Sequence, residues 1–206
     1  FHRYCDGEAL KIGFLDDYAA YIQLLLQFYK LTQEDDYLVM ADDFYQEVVR
    51  KHYDAVSGSF YLSSTNELSV KTKDFYDGAY PCGNSIMINN TVLLWQYTEQ
   101  KKFEKILNSF FEKNATTIAI SAMSSAYLMK ALREWNEGAI EIQILGDWDK
   151  NQQTEIESIL RDYYLPRKFL KNMSGDTPQI QICRNQTCSL PVSTLEAFKN
   201  LLNALN

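Results

Sequence analysis

Between Asp17 and Lys30 the chain carries no charged residue, and residues 84–98 carry none either. A helix exposed along one face cannot be that free of charge, so both segments have to be buried on most sides. In the first, Phe14, Tyr18, Tyr21, Ile22, Leu25 and Tyr29 recur with a helical period. Leu24, Leu26 and Phe28 add apolar surface elsewhere, and the spacing predicts a helix over 14–32. In the second, Ile86, Met87, Ile88, Val92, Leu93, Leu94 and Trp95 crowd one short stretch. Residues 117–134 repeat the pattern, free of charge until Lys130.

The segments between them differ. Over 35–53, Tyr37, Ala41, Phe44, Tyr45, Val48 and His52 oppose Asp42, Asp43, Glu47, Arg50 and Lys51. Over 100–113, Phe103, Ile106, Leu107, Phe110 and Phe111 oppose Lys101, Lys102, Glu104, Lys105 and Glu112. These are surface helices. The order inner, outer, inner, outer, inner is that of an α/α toroid, in which buried helices form a ring wrapped by exposed ones. A four-helix bundle is the rival, but its helices share one kind of stripe. Short β-prone runs over 54–63 and 66–76 predict a small hairpin near 58–72.

After residue 136 the pattern changes. Residues 139–145 alternate as a strand does, 150–164 have helical periodicity, 179–183 alternate again, and 193–205 close with a helix. Strand, helix, strand, helix predicts a right-handed crossover between parallel strands. The expected fold class is therefore mainly α: a partial α/α toroid over 1–136 with a small appended βαβα unit over 137–206.

A net charge of −7 argues against nucleic acid or an anionic membrane surface as partner. No run approaches the 18 or so apolar residues of a membrane span. The opening Phe1-His2-Arg3-Tyr4 has neither an initiator Met nor a signal-peptide pattern, as expected for a piece of a longer, cytoplasmic protein. Among Cys5, Cys82, Cys183 and Cys188 there is no CxxC, and reduced thiols are expected at Cys183 and Cys188. Left alone, the apolar inner helices predict a homodimer.

The candidate chemistry lies where inner helices begin. Asp16 and Asp17 open the first, beside Tyr18. Asp77-Gly78-Ala79-Tyr80-Pro81-Cys82-Gly83-Asn84-Ser85 leads into the second. Two antiparallel helices and a loop bring the chain back to its starting end, so Asp77 belongs at the same end as Asp16 and Asp17. Paired carboxylates there suit general acid and base work on a sugar, with Tyr18, Tyr80, Asn84 and Ser85 as ligand-binding groups. The competing reading is helix capping for the aspartates and Asn84. Thr116, Thr117, Ser121, Ser124 and Ser125 are expected to open the third inner helix as caps or small packing residues. His52 is expected to be a packed residue. No nucleotide-binding or nucleophile motif is present, so no cofactor or metal is expected.

Three motifs taken together resemble one family. They are Gly13-Phe14-Leu15-Asp16-Asp17-Tyr18-Ala19, the 77–85 segment, and Cys183-Arg184-Asn185-Gln186-Thr187-Cys188 with Pro191. Their order is similar to the C-terminal region of the thioredoxin-domain-containing, spermatogenesis-associated-type proteins. The resemblance implies an N-terminal thioredoxin-like domain as partner. It also implies an α/α toroid similar to six-hairpin glycosidases and N-acylglucosamine 2-epimerases. A carbohydrate cleft follows from it, or else a non-catalytic scaffold that presents substrates to the thioredoxin-like domain. Cys82 stands where the family pattern has Ser.

Overall fold

The computed structural model describes residues 2–5, 7–65, 70–120, 122–165, 167–184 and 187–205, with backbone alone for 2–5 and 8–12. The chain is mainly α and forms two compact units, Phe1–Arg133 and Glu134–Asn206.

The first unit opens with an antiparallel pair, β1 (His2–Cys5) and β2 (Glu8–Ile12). Helices α1 (Leu15–Thr32) and α2 (Asp35–His52) follow and pack on each other. Gln33 joins them in the left-handed region, its N–H returning to Tyr29 O at 2.8 Å. A two-residue pair, β3 (Tyr53–Asp54) with β4 (Ser59–Phe60), precedes α3 (Gly83–Thr98) and α4 (Lys101–Ile120).

The charge-free α3 is buried around nearly its whole circumference, from Gly83 through Val92 without a break. It packs against both α1 and α4. On α2, Ala41, Tyr45, Val48 and His52 are buried and the rest half-exposed or exposed. Large side chains fill the space between: Tyr18, Tyr45, Phe60, Phe103 and Phe110 are fully buried. Tyr45 meets Phe103 edge to face, and its hydroxyl shares a 2.8 Å hydrogen bond with Thr91.

A described strand pair lies at 53–60, and the hairpin expected near 58–72 is only partly covered by described residues. Further along, Leu62 N–H reaches Thr72 O at 2.9 Å, and 66–69 lie outside the described residues. Helix α4 runs on to Ile120, because Ala115–Ala119 contains nothing that breaks a helix. Thr116 and Thr117 are thus exposed on α4. The next helix starts later, with a 3₁₀ turn (Ala122–Ser125) leading into α5 (Ala126–Glu137); Ser121 lies outside the described residues. Only Leu128 and Ala131 of α5 are buried, against the expectation of an inner helix.

The second unit holds a four-stranded sheet in the order β6-β5-β7-β8. Strand β5 (Ile140–Leu145) is followed by α6 (Lys150–Asp162), β6 (Lys168–Met173), β7 (Gln179–Arg184), β8 (Thr187–Cys188) and α7 (Leu195–Asn203). The crossover through α6 delivers β6 parallel to β5, and β7 then pairs with the other edge of β5 antiparallel. The expected parallel pairing of 139–145 with 179–183 is therefore wrong. Its cause is the overlooked strand KFLKNM, whose two lysines hide its alternation. This unit has its own core: Ile142, Trp148, Ile156, Ile159, Leu160, Ile180, Ile182, Phe198 and Leu202. Asp149 caps α6 reciprocally with Gln152.

Candidate functional site at the helix starts

The first turns of α1, α3 and α5 each receive an aspartate. At α1, Asp17 Oδ2 accepts the Phe14 N–H at 2.8 Å, a capping bond within its own helix. At α3, the N-cap residue Cys82 makes no capping bond and no acid lies in the first turn. Asp16 supplies the missing anion from α1, taking a hydrogen bond from the Gly83 backbone N–H. Gly83 is needed for this approach, since a Cβ there would collide with Asp16 Oδ1 and crowd Leu15. At α5, Asp77 Oδ2 accepts from Tyr127 N–H at 2.8 Å. Its Oδ1 accepts from Cys82 N–H at 3.1 Å, and its own N–H donates to Ser124 O at 2.6 Å. Asp77 therefore ties the start of α5 to the start of α3, as Asp16 ties α3 to α1.

The electrostatics single out one acid. Burial raises the Asp16 pKa above the ordinary carboxylate value; the Gly83 hydrogen bond opposes this, and the negative charges of Asp17 and Asp74 add to it. Cys82 lies in the same neighbourhood. Burial raises its thiol pKa, its Sγ lies 3.2 Å from Ser85 Oγ, and it also contacts Asp74 O at 3.3 Å.

The other expected ligand-binding residues are placed differently from one another. Tyr18 is fully buried, and its hydroxyl donates to Glu47 at 3.1 Å. Burial first and Glu47 second push its pKa up to about 12. Asn84 is buried, with its amide spanning the Phe60 backbone: Oδ1 accepts from Phe60 N–H at 2.8 Å and Nδ2 donates to Phe60 O at 2.9 Å. Ser85 is fully buried beside Cys82. Tyr80 is exposed. Ser125 is a packing residue whose Oγ donates to Phe75 O at 2.9 Å.

A second polar group, missed in the sequence, joins the same three helices farther along. Gln23 Nε2 donates to Tyr127 Oη at 2.6 Å. Asn89 Nδ2 donates to Tyr127 O at 2.7 Å and to Ser85 O at 2.9 Å, and Lys130 Nζ donates to Asn89 Oδ1 at 3.0 Å. The Lys130 ammonium also lies 5.2 Å from the Tyr127 ring centroid. Amides set inside otherwise charge-free helices were the available signal, and Gln23 and Asn89 both carry it. Asp74 carries no such signal, being one acid in a polar loop. Among the described residues, no group of His, Cys, Asp and Glu is arranged to hold a metal ion, and no helix is long and apolar enough to cross a membrane.

The chain is similar to several proteins over 93% of its length. It is 26% identical to an uncharacterised protein of Caenorhabditis elegans and 25% identical to spermatogenesis-associated protein 20 of Homo sapiens. The Rattus norvegicus form of the latter is 26% identical. The chain spans 28% of the worm protein's length and 27% of the mammalian ones. No family model matches it.

Proposed function

We propose that the helical unit is part of an α/α toroid that binds and processes a small carbohydrate at the starts of α1, α3 and α5. The observation that supports this reading is Asp16, a half-buried acid whose raised pKa suits a proton donor. In this reading Asp77 and Asp17 are structural, because hydrogen bonds to backbone N–H groups use both Asp77 oxygens and Asp17 Oδ2. The paired-carboxylate mechanism then reduces to one acid, and the Gln23, Asn89, Tyr127 and Lys130 group farther along the same helices holds them together.

A second reading is favoured by those same backbone bonds. Carboxylates spent on joining helices belong to a scaffold, here one presenting substrates to a thioredoxin-like domain. Calorimetric titration of neutral and acidic mono- and disaccharides into the chain and its Asp16→Asn variant separates the two. Saturable binding that weakens at least about tenfold in the variant supports the sugar reading. No binding to a correctly folded chain favours the scaffold.

A further inference from the structure

Cys183 and Cys188 form a disulfide across the β7–β8 pair, where reduced thiols were expected. They face each other directly in register with their Cα atoms 3.9 Å apart, close enough for the two sulfurs to bond. Independently of the sugar reading, we propose that this disulfide is a thiol-exchange site, with Cys188 as the exchanging sulfur and Cys183 as the resolving one.

Three observations carry it. The first is access. Cys188 is exposed on the edge strand of the sheet, while Cys183 is buried one strand in. An attacking thiolate must approach in line with the S–S bond, from the side opposite the leaving sulfur. At Cys188 that side is the open edge of β8. At Cys183 it is the position of Glu141, its register partner on β5. Glu141 is itself held by Gln143 at 2.8 Å and Lys171 at 3.6 Å.

The second observation is redundancy. Strand β7 is paired with β5 over its whole length without the disulfide. Beyond β8 the chain is held to β7 by Ser189 N–H to Ile182 O at 2.8 Å and Ile182 N–H to Ser189 Oγ at 3.1 Å. Two further 2.8 Å bonds join Ile180 and Val192. The bond closes a loop of only a few residues, the case in which a cross-link restricts the unfolded chain least. Its reduction therefore leaves the sheet in place.

The third is the fate of the released sulfur. A thiolate R–S⁻ attacks Cys188 Sγ, the R–S–Sγ bond forms and the Sγ–Sγ bond breaks. Cys183 leaves with the electron pair and is protonated by solvent, and it stays one strand in from Cys188, placed to attack the mixed disulfide in the reverse direction. A second thiolate attacks the R sulfur, the R–S–Sγ bond breaks and Cys188 leaves and is protonated, so that two thiols are oxidised to R–S–S–R and the protein disulfide is reduced to two thiols. The reverse sequence restores it.

The test uses the full chain in reduced and oxidised glutathione mixtures, and in parallel with a CxxC dithiol protein as donor. Peptide mass spectrometry after acid quench reads the state of each cysteine. The expected result has four parts. The Cys183–Cys188 pair titrates reversibly with at least one donor. The reduced form melts within about 5 °C of the oxidised form. Cys188 is alkylated at least about tenfold faster than Cys183. A Cys183→Ser variant accumulates the mixed disulfide at Cys188. The arm that reacts faster identifies a small-molecule or a protein thiol as the source. Resistance of the bond to both donors in the folded protein overturns the proposal. So does faster labelling of Cys183 than of Cys188, or loss of the sheet on reduction. The wild-type alkylation rates decide the matter if the variant does not fold.

Discussion

His52 is buried at the end of α2, where its ring packs against Tyr18. Its Nδ1 lies 2.9 Å from the Tyr61 carbonyl, so that nitrogen carries the proton and Nε2 is left as a buried acceptor with no partner among the described residues. Burial lowers its pKa from 6.5, with the Lys51 charge acting in the same direction and the Tyr61 bond and Glu47 opposing. A depressed histidine is neutral when folded and charged when unfolded below pH 6.5. The contribution is complete above that value and is lost as pH falls through the folded pKa. Denaturation midpoints should drop between pH 7.5 and 5, and His52→Gln should flatten that slope. Asp16 works with the opposite sign: its raised pKa makes the folded chain hold the proton longer, so its contribution fades as pH rises. The Asp16→Asn variant isolates this part of the profile. Gly83→Ala should displace the Asp16 carboxylate from the start of α3 and destabilise the chain by about 1–3 kcal/mol, read by urea unfolding. Restored stability in a Gly83→Ala/Asp16→Ala double variant would identify that collision as the cause.

At the scale of helices and strands, Asp77 holds two N-termini together. Asp77→Ala strands the Cys82 and Tyr127 N–H groups and should cost about 1–3 kcal/mol, with Asp77→Asn losing less because one acceptor oxygen persists. Hydrogen exchange should speed up at the first turns of both α3 and α5; an effect at one alone would contradict the shared tie. Such ties explain what the sequence revealed. Helices α1, α2 and α3 begin and end within a residue of the predicted 14–32, 35–53 and 84–98, because freedom from charge and amphipathic periodicity are local properties. The reach of α4 is not legible locally, because Thr116 and Thr117 look like caps but sit in an uninterrupted helix. Strand order depends on which edge of β5 each later strand meets, and no single segment contains that information. At the site, the sequence gives the aspartates but not their acceptor geometry. Capping of α3 by a residue of α1 joins positions 67 apart in the chain.

For the whole molecule, two separate cores mean two separate responses to damage. Phe198 is fully buried in the second core, and Phe198→Ala should cost that unit about 3–5 kcal/mol. Hydrogen exchange over β5 and β7 should then accelerate by orders of magnitude while α3 keeps its protection. Simultaneous loss in both would show one cooperative body instead.

The borrowed cap on α3 also bears on how the chain reaches this state. A charge-free helix without a local cap is a poor helix by itself, and its anion arrives only when α1 docks. Until then residues 84–98 are an apolar, uncharged segment open to solvent and to other chains. Refolding yield should consequently fall as protein concentration rises, and Asp16→Ala should steepen that fall by slowing the docking step.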